Sequence, residues 1–325
     1  MKARGLISFP APLLIGPDSL GQHLTGTVDG TAIELELPPR DTLYDLGARG
    51  DVTHRRAITN NLGLPDEVVS RLSEGWGTVW TNYYKVNAAL LSADDIGKVM
   101  DPAERPVGFG AASPPPRGFV QEFYDWFEIV RYWLAAWTDV NEFWVGSSFR
   151  CVVALGRGDQ FSIADRSFQN AGVHYVKATL PTPIQLQSAC DYASAREHIP
   201  VEYRLILDAE NAISAGDFRR AVIDSTTAIE VALAGALAER LRRCRVNQSL
   251  IDEIVKQANG VSGLASLYIS EGNSIAVSKA RLRSEVANLP NLAAHAGKHP
   301  TEDQARTAVG HAKSIVRTVE PLPLT

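Results

Sequence analysis

The sequence predicts an α+β protein: an N-terminal β-containing domain with a long aromatic-rich helix, followed by a C-terminal antiparallel α-helical bundle. In the first half of the chain, short segments alternate between apolar and polar residues, as strands with one buried face do. After residue 200, apolar residues recur at steps of three and four, which is the period of amphipathic helices. We therefore expect a mixed β/α domain over 1–185, a linker over 186–200 and a helical domain over 201–325.

The first strands are predicted by a tight turn between two alternating segments. Residues 24–28 and 32–37 flank Val28-Asp29-Gly30-Thr31, and Asp-Gly readily adopts the positive φ angles of a two-residue hairpin turn. Three later segments are also predicted to be strands, because β-branched and aromatic residues suit a pleated surface. These segments are 77–91, 151–155 and 173–180.

The strongest helix of the first domain is predicted over 118–140, after a Pro- and Gly-rich loop at 102–117. A stripe of rings at helical spacing is typical of a packed core, and the alternative is a ligand pocket or base-stacking surface. The apolar residues of this stripe are Phe119, Phe123, Trp126, Phe127, Val130, Leu134 and Trp137.

Composition and charge limit the possible classes of function. The chain has 325 residues, of which 45% are hydrophobic and 21% charged, as in globular proteins of about two domains. The net charge of −5 excludes a basic field over the whole protein, so nucleic acid would need a local basic patch. The cysteines, Cys151, Cys190 and Cys244, lack metal-ligand spacing and favour a reducing cytoplasm. No run is predicted to span a bilayer, so we expect no membrane partner.

Helices of the second domain are predicted over 201–214, 218–243, 248–258 and 262–270, with a final helix after Thr301. Gly216-Asp217 separates the first two, and Asp217 is a good N-cap. Thr301-Glu302-Asp303-Gln304 has the form of a capping box, in which the Thr and Gln side chains satisfy free N–H groups at the start of a helix.

Two stretches of this domain together resemble the HEPN family, the higher-eukaryote and prokaryote nucleotide-binding helical bundles. The first runs from Ala215 to Val222 (AGDFRRAV) and leads to Thr227-Ala228-Ile229-Glu230. The second runs from Leu289 to Gly297 (LPNLAAHAG) and precedes the capped final helix. The resemblance covers about 200–320. It implies a helical bundle that binds RNA or a nucleotide, forms a homodimer and belongs to a bacterial defence or toxin-like system.

Active members of that family are metal-independent endoribonucleases. Their motif is an Arg, usually followed by a polar residue, with a His four to six residues after the Arg. The resemblance assigns the catalytic candidates His295, as the family His, and Asn291, as the polar residue. Pro290 occupies the Arg position and carries no cation to stabilise a phosphate, so impaired or absent RNase activity is expected. Pro290 also fits the first turn of a helix capped by Asn288.

The chemistry of these residue types is compatible with such a site. A His can act as general acid or base near neutral pH, although His295 could equally be a structural residue bonded to Asn291. Binding of a phosphate also requires positively charged side chains. The arginine run near 240–245 could contact phosphate, and the alternative is that it forms a solvated helix end. The candidate phosphate-binding residues are Arg281, Arg283, Lys298, His299, Arg240 and Arg243. No cofactor and no metal are expected.

Three functions remain open from the sequence. The first is a HEPN-like protein that binds RNA or a nucleotide, or dimerises, without effective RNase activity. The second is an active metal-independent endoribonuclease that uses His295 with a cation from elsewhere. The third is a purely structural interaction module, whose helical bundle is a homodimer interface.

Overall fold

The chain is α+β and divides into two compact units, Met1–His198 and Ile199–Leu324. The computed structural model describes residues 2–37, 44–45, 77–80, 83–94, 119–138, 144–157, 160–173, 180–258, 260–289 and 299–323. Within these ranges all strands lie in the first unit, and the second unit is helical.

The strands of the first unit form one sheet with the order β2-β3-β6-β1-β7-β8. Neighbours along this path are antiparallel, while β5 pairs antiparallel with β6 and β4 pairs parallel with β5. The strands are β1 (Lys2–Ile15), β2 (His23–Val28), β3 (Thr31–Glu36), β4 (Tyr44–Asp45), β5 (Gly77–Trp80), β6 (Tyr83–Asp94), β7 (Trp144–Arg157) and β8 (Gln160–Val173).

The β2–β3 hairpin confirms the turn predicted from Asp-Gly. Val28 pairs with Thr31, and the two residues between them have positive φ angles of 47° at Asp29 and 74° at Gly30. Positive φ at both central residues is the conformation whose twist matches that of the flanking strands. Local residue chemistry is therefore sufficient to set the register of this hairpin.

The β7–β8 hairpin contains one predicted strand and the first residue of another. β7 contains the predicted segment 151–155, but β8 ends at Val173, where the segment 173–180 was predicted to begin. Residues 174–179 of that prediction lie outside the described residues. The alternation of β8 is interrupted at Asp165-Arg166, so pairing with β7, rather than a local pattern, is what identifies it as a strand.

Two α-helices are present in the part of the first unit that the structure describes, α1 (Phe119–Thr138) and α2 (Pro183–Ser194). The rings of Phe123, Trp126 and Phe127 on α1 are buried, and Phe127 stacks on Phe9 of β1 with ring centroids 4.4 Å apart. Trp133 of α1 stacks on Tyr192 of α2 at 4.1 Å. The aromatic stripe of α1 therefore packs inward against the sheet and against α2.

The helix α2 overturns the prediction of a linker over 186–200. Thr182 and Gln185 form a capping box at its start, and Pro183 occupies its first position, where no N–H is needed. Leu186, Ala189, Cys190 and Ala193 are buried along one side of the helix. The proline that suggested a linker thus lies at the start of this helix, and the polar residues lie on its solvent-facing side.

The second unit begins with α3 (Val201–Ser214) and α4 (Phe218–Arg243), whose bounds are those predicted. Its other helices are α5 (Gln248–Ala258), α6 (Gly260–Ser270), α7 (Lys279–Leu282), which continues into a π-helical segment over Arg283–Ala287, and α8 (Glu302–Val319). The predicted capping box of Thr301 and Gln304 is present at the start of α8 and is confirmed.

Small residues bring α3, α4 and α8 close together. A buried cluster joins these helices with Leu289, and it consists of Ala209, Ala212, Ile213, Ala221, Val222, Leu289, Ala305, Ala308 and Val309. Side chains the size of alanine allow neighbouring helix backbones to approach closely. Tyr203 of α3 also donates a hydrogen bond of 2.9 Å to the Glu320 carbonyl, just after α8.

By length and composition, α4 is also apolar enough to cross a membrane, and it is the one such helix among the described residues. The expectation that no run reaches this length was therefore wrong. This helix packs against α3 and α8, and buried core helices satisfy the same criterion. The apolar composition of α4 is thus accounted for by its central place in the helical unit.

Candidate functional site

The residues with assigned catalytic roles lie in the segment 290–298. His295 and Asn291, together with Pro290 and Lys298, are outside the described residues, so their roles stay predictions. On one side of this segment Leu289 is buried, and on the other His299 is exposed just before α8. Asn288 has helical backbone angles and ends the π-helical segment, and the new helix that it was expected to cap lies outside the described residues.

Three of the candidate phosphate-binding arginines are engaged by acceptors within the helical unit. Arg240 donates hydrogen bonds to Asn273 at 3.1 Å and to the Glu271 carbonyl at 2.7 Å. Arg243 donates to Glu239 at 3.1 Å. Arg281 donates to both carboxylate oxygens of Glu285 at 3.2 to 3.3 Å. A guanidinium that already contacts a carboxylate presents less net charge to a phosphate.

Glu285 joins Arg281 to His311 of α8. The Nε2 atom of His311 lies 2.6 Å from a Glu285 oxygen, and the His311 side chain is only 13% exposed. Hydrogen bonds from Arg281 and then from His311 hold the pKa of the Glu285 carboxyl below its usual range. This cluster, which we call the Arg281–Glu285–His311 cluster, connects the π-helical segment to the final helix. Sequence reasoning did not single out Glu285 or His311 for this arrangement, because they are 26 residues apart.

Among the described residues, three further basic side chains that lie close to this segment in the sequence are exposed and unpaired. Arg283 and His299 have no ion pair or hydrogen bond among the described residues, and the same is true of Lys279. Lys279 and Arg283 are four residues apart at the junction of α7 and the π-helical segment, so they lie on the same side of it. Sequence reasoning missed Lys279, although its i, i+4 spacing from Arg283 was visible.

The first unit contains a separate open pocket with a cavity volume of about 130 Å³. Trp126 and Ile129 form part of its apolar lining, and its ionisable residues are Asp29, Glu122, Asp125, Arg196 and His198. Arg196 has a φ of +57°, in the left-handed region, and donates to Glu122 at 3.0 Å. Arg196 thus pairs with one or two of the three carboxylates that line this pocket, and the lining carries more acidic than permanently basic groups.

The described residues contain no group of three or more His, Cys, Asp or Glu side chains placed to hold a metal ion. Shortly before segment 290–298 in the sequence, the described residues contain an exposed basic pair, Lys279 and Arg283, and the Arg281–Glu285–His311 cluster. An exposed basic surface of this kind is suited to binding an anionic partner. It is not the arrangement of a buried catalytic pocket. Comparison of the chain with protein-family models, with curated proteins and with solved structures finds no match in any of the three.

Proposed function

We propose that the second unit is a HEPN-like antiparallel helical bundle that binds RNA or a nucleotide, with RNase activity impaired or absent. The proposal is supported by the order in which the motif segments and helices of the second unit follow one another along the chain. The turn at Gly216 leads into α4, which carries Glu230, and the stretch 289–297 directly precedes the capped start of α8. By the same resemblance, the chain acts in a bacterial defence or toxin-like system in the cytoplasm, with the first unit sensing a trigger.

The observation that carries the binding proposal is the exposed basic pair, Lys279 and Arg283. Both side chains are free to contact successive phosphates, and His299 is exposed at the far end of the motif segment. Phosphate contacts supply much of the affinity of proteins for nucleic acids and release bound counterions. The local patch is compatible with a net charge of −5, because binding depends on the field at the contact rather than on the sum over the chain.

The proposed loss of catalysis rests on the missing cation. Pro290 stands where active relatives have Arg, and Arg281 is engaged by Glu285 through three hydrogen bonds. Using Arg281 as a replacement would leave the Glu285 carboxylate with one fewer cationic partner. Without a cation at the scissile phosphate, the negative charge that develops in the transition state is poorly stabilised, even if a His acts as acid or base.

The test is binding of a labelled single-stranded RNA to the full chain over a range of salt concentrations. We expect Lys279→Ala and Arg283→Ala each to weaken binding and to reduce the slope of log affinity against log salt by about 1. Arg240→Ala is the matched control, because Arg240 is already engaged by Glu271 and Asn273. If the full chain does not bind RNA or nucleotide, or if binding is independent of salt, the proposal fails.

The two other functions give different results in the same assays. An active metal-independent endoribonuclease would cleave RNA in the presence of a chelator and would lose that activity in His295→Ala. A purely structural module would bind no RNA and would form a homodimer through its helical unit. The engagement of Arg281, Arg240 and Arg243 within the unit favours binding without cleavage over the enzyme.

A further inference from the structure

We propose that the open pocket of the first unit binds a small α-amino acid in its zwitterionic form, with a short apolar side chain. This inference concerns the first unit and is independent of the function proposed for the helical unit. It rests on a lining that combines side chains of both charges with a buried apolar wall. Ligand sites commonly join a concave apolar surface to a few polar groups that fix the orientation of the ligand.

The acidic side of the pocket is formed by Glu122 and Asp125 of α1. The two residues are three positions apart on the helix, so their side chains lie on the same side of it. One oxygen of Glu122 accepts from Arg196, and one oxygen of Asp125 accepts from Gln121. The second oxygen of each carboxylate has no donor among the described residues. These two oxygens are suitable acceptors for an ammonium group, which has three hydrogens to donate.

The basic side of the pocket is formed by Arg196 and His198, which follow α2. Arg196 is engaged through Nη2 alone, which lies 3.0 Å from Glu122 and 4.0 Å from Asp29. Its Nε and Nη1 atoms, like the ring of His198, meet no acceptor in the part of the chain that the structure describes. A carboxylate can therefore bind to this guanidinium while the contact with Glu122 is kept.

The short distance between the opposite charges favours an α-amino acid over other ligands. Because Arg196 contacts Glu122 directly, a ligand that uses both sides must carry its ammonium and carboxylate close together. An anion alone would face the carboxylates, a cation alone would face the guanidinium, and the described residues contain no group placed to hold a metal ion.

The size and apolar wall of the pocket limit the side chain of the ligand. The cavity volume is about 130 Å³. That is the space of about four water molecules in the liquid, so a long side chain does not fit inside. Trp126 and Ile129 line the pocket and are buried, and their apolar surface suits a short aliphatic group.

The experiment is calorimetric titration of the full chain with L-alanine and L-valine. We expect L-valine to bind with a Kd of about 1 mM or lower, which is within reach of so small a ligand. Isobutylamine is valine without its carboxylate, and 3-methylbutanoate is valine without its ammonium. Each should bind at least about tenfold more weakly than L-valine, because each lacks one charged contact.

Two variants assign the two charges of the ligand to the two sides of the pocket. Arg196→Gln should raise the Kd of L-valine about tenfold and leave that of isobutylamine no higher. Asp125→Asn should raise the Kd values of L-valine and isobutylamine but not that of 3-methylbutanoate. The controls are Arg131→Gln and Asp18→Asn, which make the same charge changes at positions that do not line the pocket.

The opposite responses of the two variants to the two analogues separate lost contacts from misfolding, which would weaken every ligand alike. The proposal is overturned if neither amino acid binds, or if one of the analogues binds as tightly as L-valine. It is also overturned if the variants do not differ from the controls, or if each variant weakens both analogues.

Discussion

The side-chain amide of Gln187 makes with Thr25 the two hydrogen bonds that a neighbouring β-strand would make, one donated and one accepted, both at 3.0 Å. This relationship joins a helix to the edge of a sheet across 162 residues of sequence. The helix α2, which bears Gln187, is therefore held in place by hydrogen bonds to the backbone of β2 as well as by the packing of its buried apolar side.

Replacing Gln187 with Glu should destabilise the first unit by about 1–2 kcal/mol. A glutamate can accept from the Thr25 N–H, but it cannot donate to the Thr25 carbonyl and instead places two acceptor oxygens together. Urea unfolding followed by tryptophan fluorescence reports on this unit alone, because all 6 tryptophans precede residue 198. Gln187 also donates to Asp191 one turn away at 2.8 Å, and Gln121→Glu is the control because Gln121 donates in the same way to Asp125, with no hydrogen bond to a strand among the described residues. Equal losses in the two variants would contradict the role of Gln187.

Replacing Gly26 with Ala should destabilise the same unit by about 1–3 kcal/mol. A Cβ at this position would lie 2.8 Å from Cζ2 of Trp126 and 3.1 Å from the Ser194 hydroxyl. The Trp126 ring is buried and donates through Nε1 to Ser194, so it cannot move aside without loss. Gly16→Ala provides the comparison, because its Cβ would meet only Leu180 at 3.9 Å. The tryptophan unfolding curve should shift for Gly26→Ala and stay close to wild type for Gly16→Ala.

Glu285→Gln should destabilise the helical unit at neutral pH. The folded-state pKa of Glu285 is lowered by hydrogen bonds from Arg281 and His311, so its carboxylate contributes stability above the unfolded-state pKa of about 4.3. That contribution is lost as the pH falls through the lowered pKa. Thermal unfolding followed by circular dichroism should therefore show a wild-type advantage at pH 7 that shrinks on acidification. An advantage that is the same at pH 7 and at pH 3 would count against the ionised pairing.

Glu320→Gln should have the opposite effect and stabilise the helical unit at neutral pH. Burial, followed by the nearby Glu202 and Glu239, raises the pKa of the Glu320 carboxyl, so the folded unit favours its protonated form. The ionised side chain costs stability at neutral pH, and this cost disappears as the pH falls below the ordinary glutamate pKa. We expect the variant to unfold at a higher temperature than wild type at pH 7 and at a similar temperature at pH 4. A variant that is less stable at pH 7 would refute this account.

RNA cleavage separates the proposed binding function from an active enzyme. We expect the purified chain not to cleave RNA in the presence of a chelator. If the proposed resemblance to the HEPN family holds, Pro290→Arg should introduce cleavage at least about 100-fold above background, because it places a cation at the Arg position of that family's motif. Adding His295→Ala to that variant should abolish the new activity. Cleavage by the wild-type chain that His295→Ala removes would instead establish the endoribonuclease.

Features with a local cause could be predicted from the sequence. The Asp29-Gly30 turn follows from the φ angles that these two residues tolerate, and the start of α8 follows from Thr301 and Gln304. The start of α2 had an equivalent local signal in Thr182, Pro183 and Gln185, but the surrounding prolines and polar residues suggested a linker. Backbone capping depends on residues three positions apart, which is why such features are visible without a structure.

The arrangement of the candidate site depends more on contacts between residues distant in the sequence than these turns and helix starts do. The sequence by itself determined the helical character of the second unit and the presence of basic residues near segment 290–298. Arg281 and Arg243 pair with carboxylates four residues away along their own helices, which is a local relationship. Only the tertiary structure decided that Arg240 is engaged by Glu271 and Asn273, and that Lys279 and Arg283 meet no acceptor among the described residues. It also decided that Gln187 closes one edge of the sheet. The physical reason is that a side chain's charge or hydrogen bond acts through space, and folding brings together partners such as Glu285 and His311 that no local pattern connects.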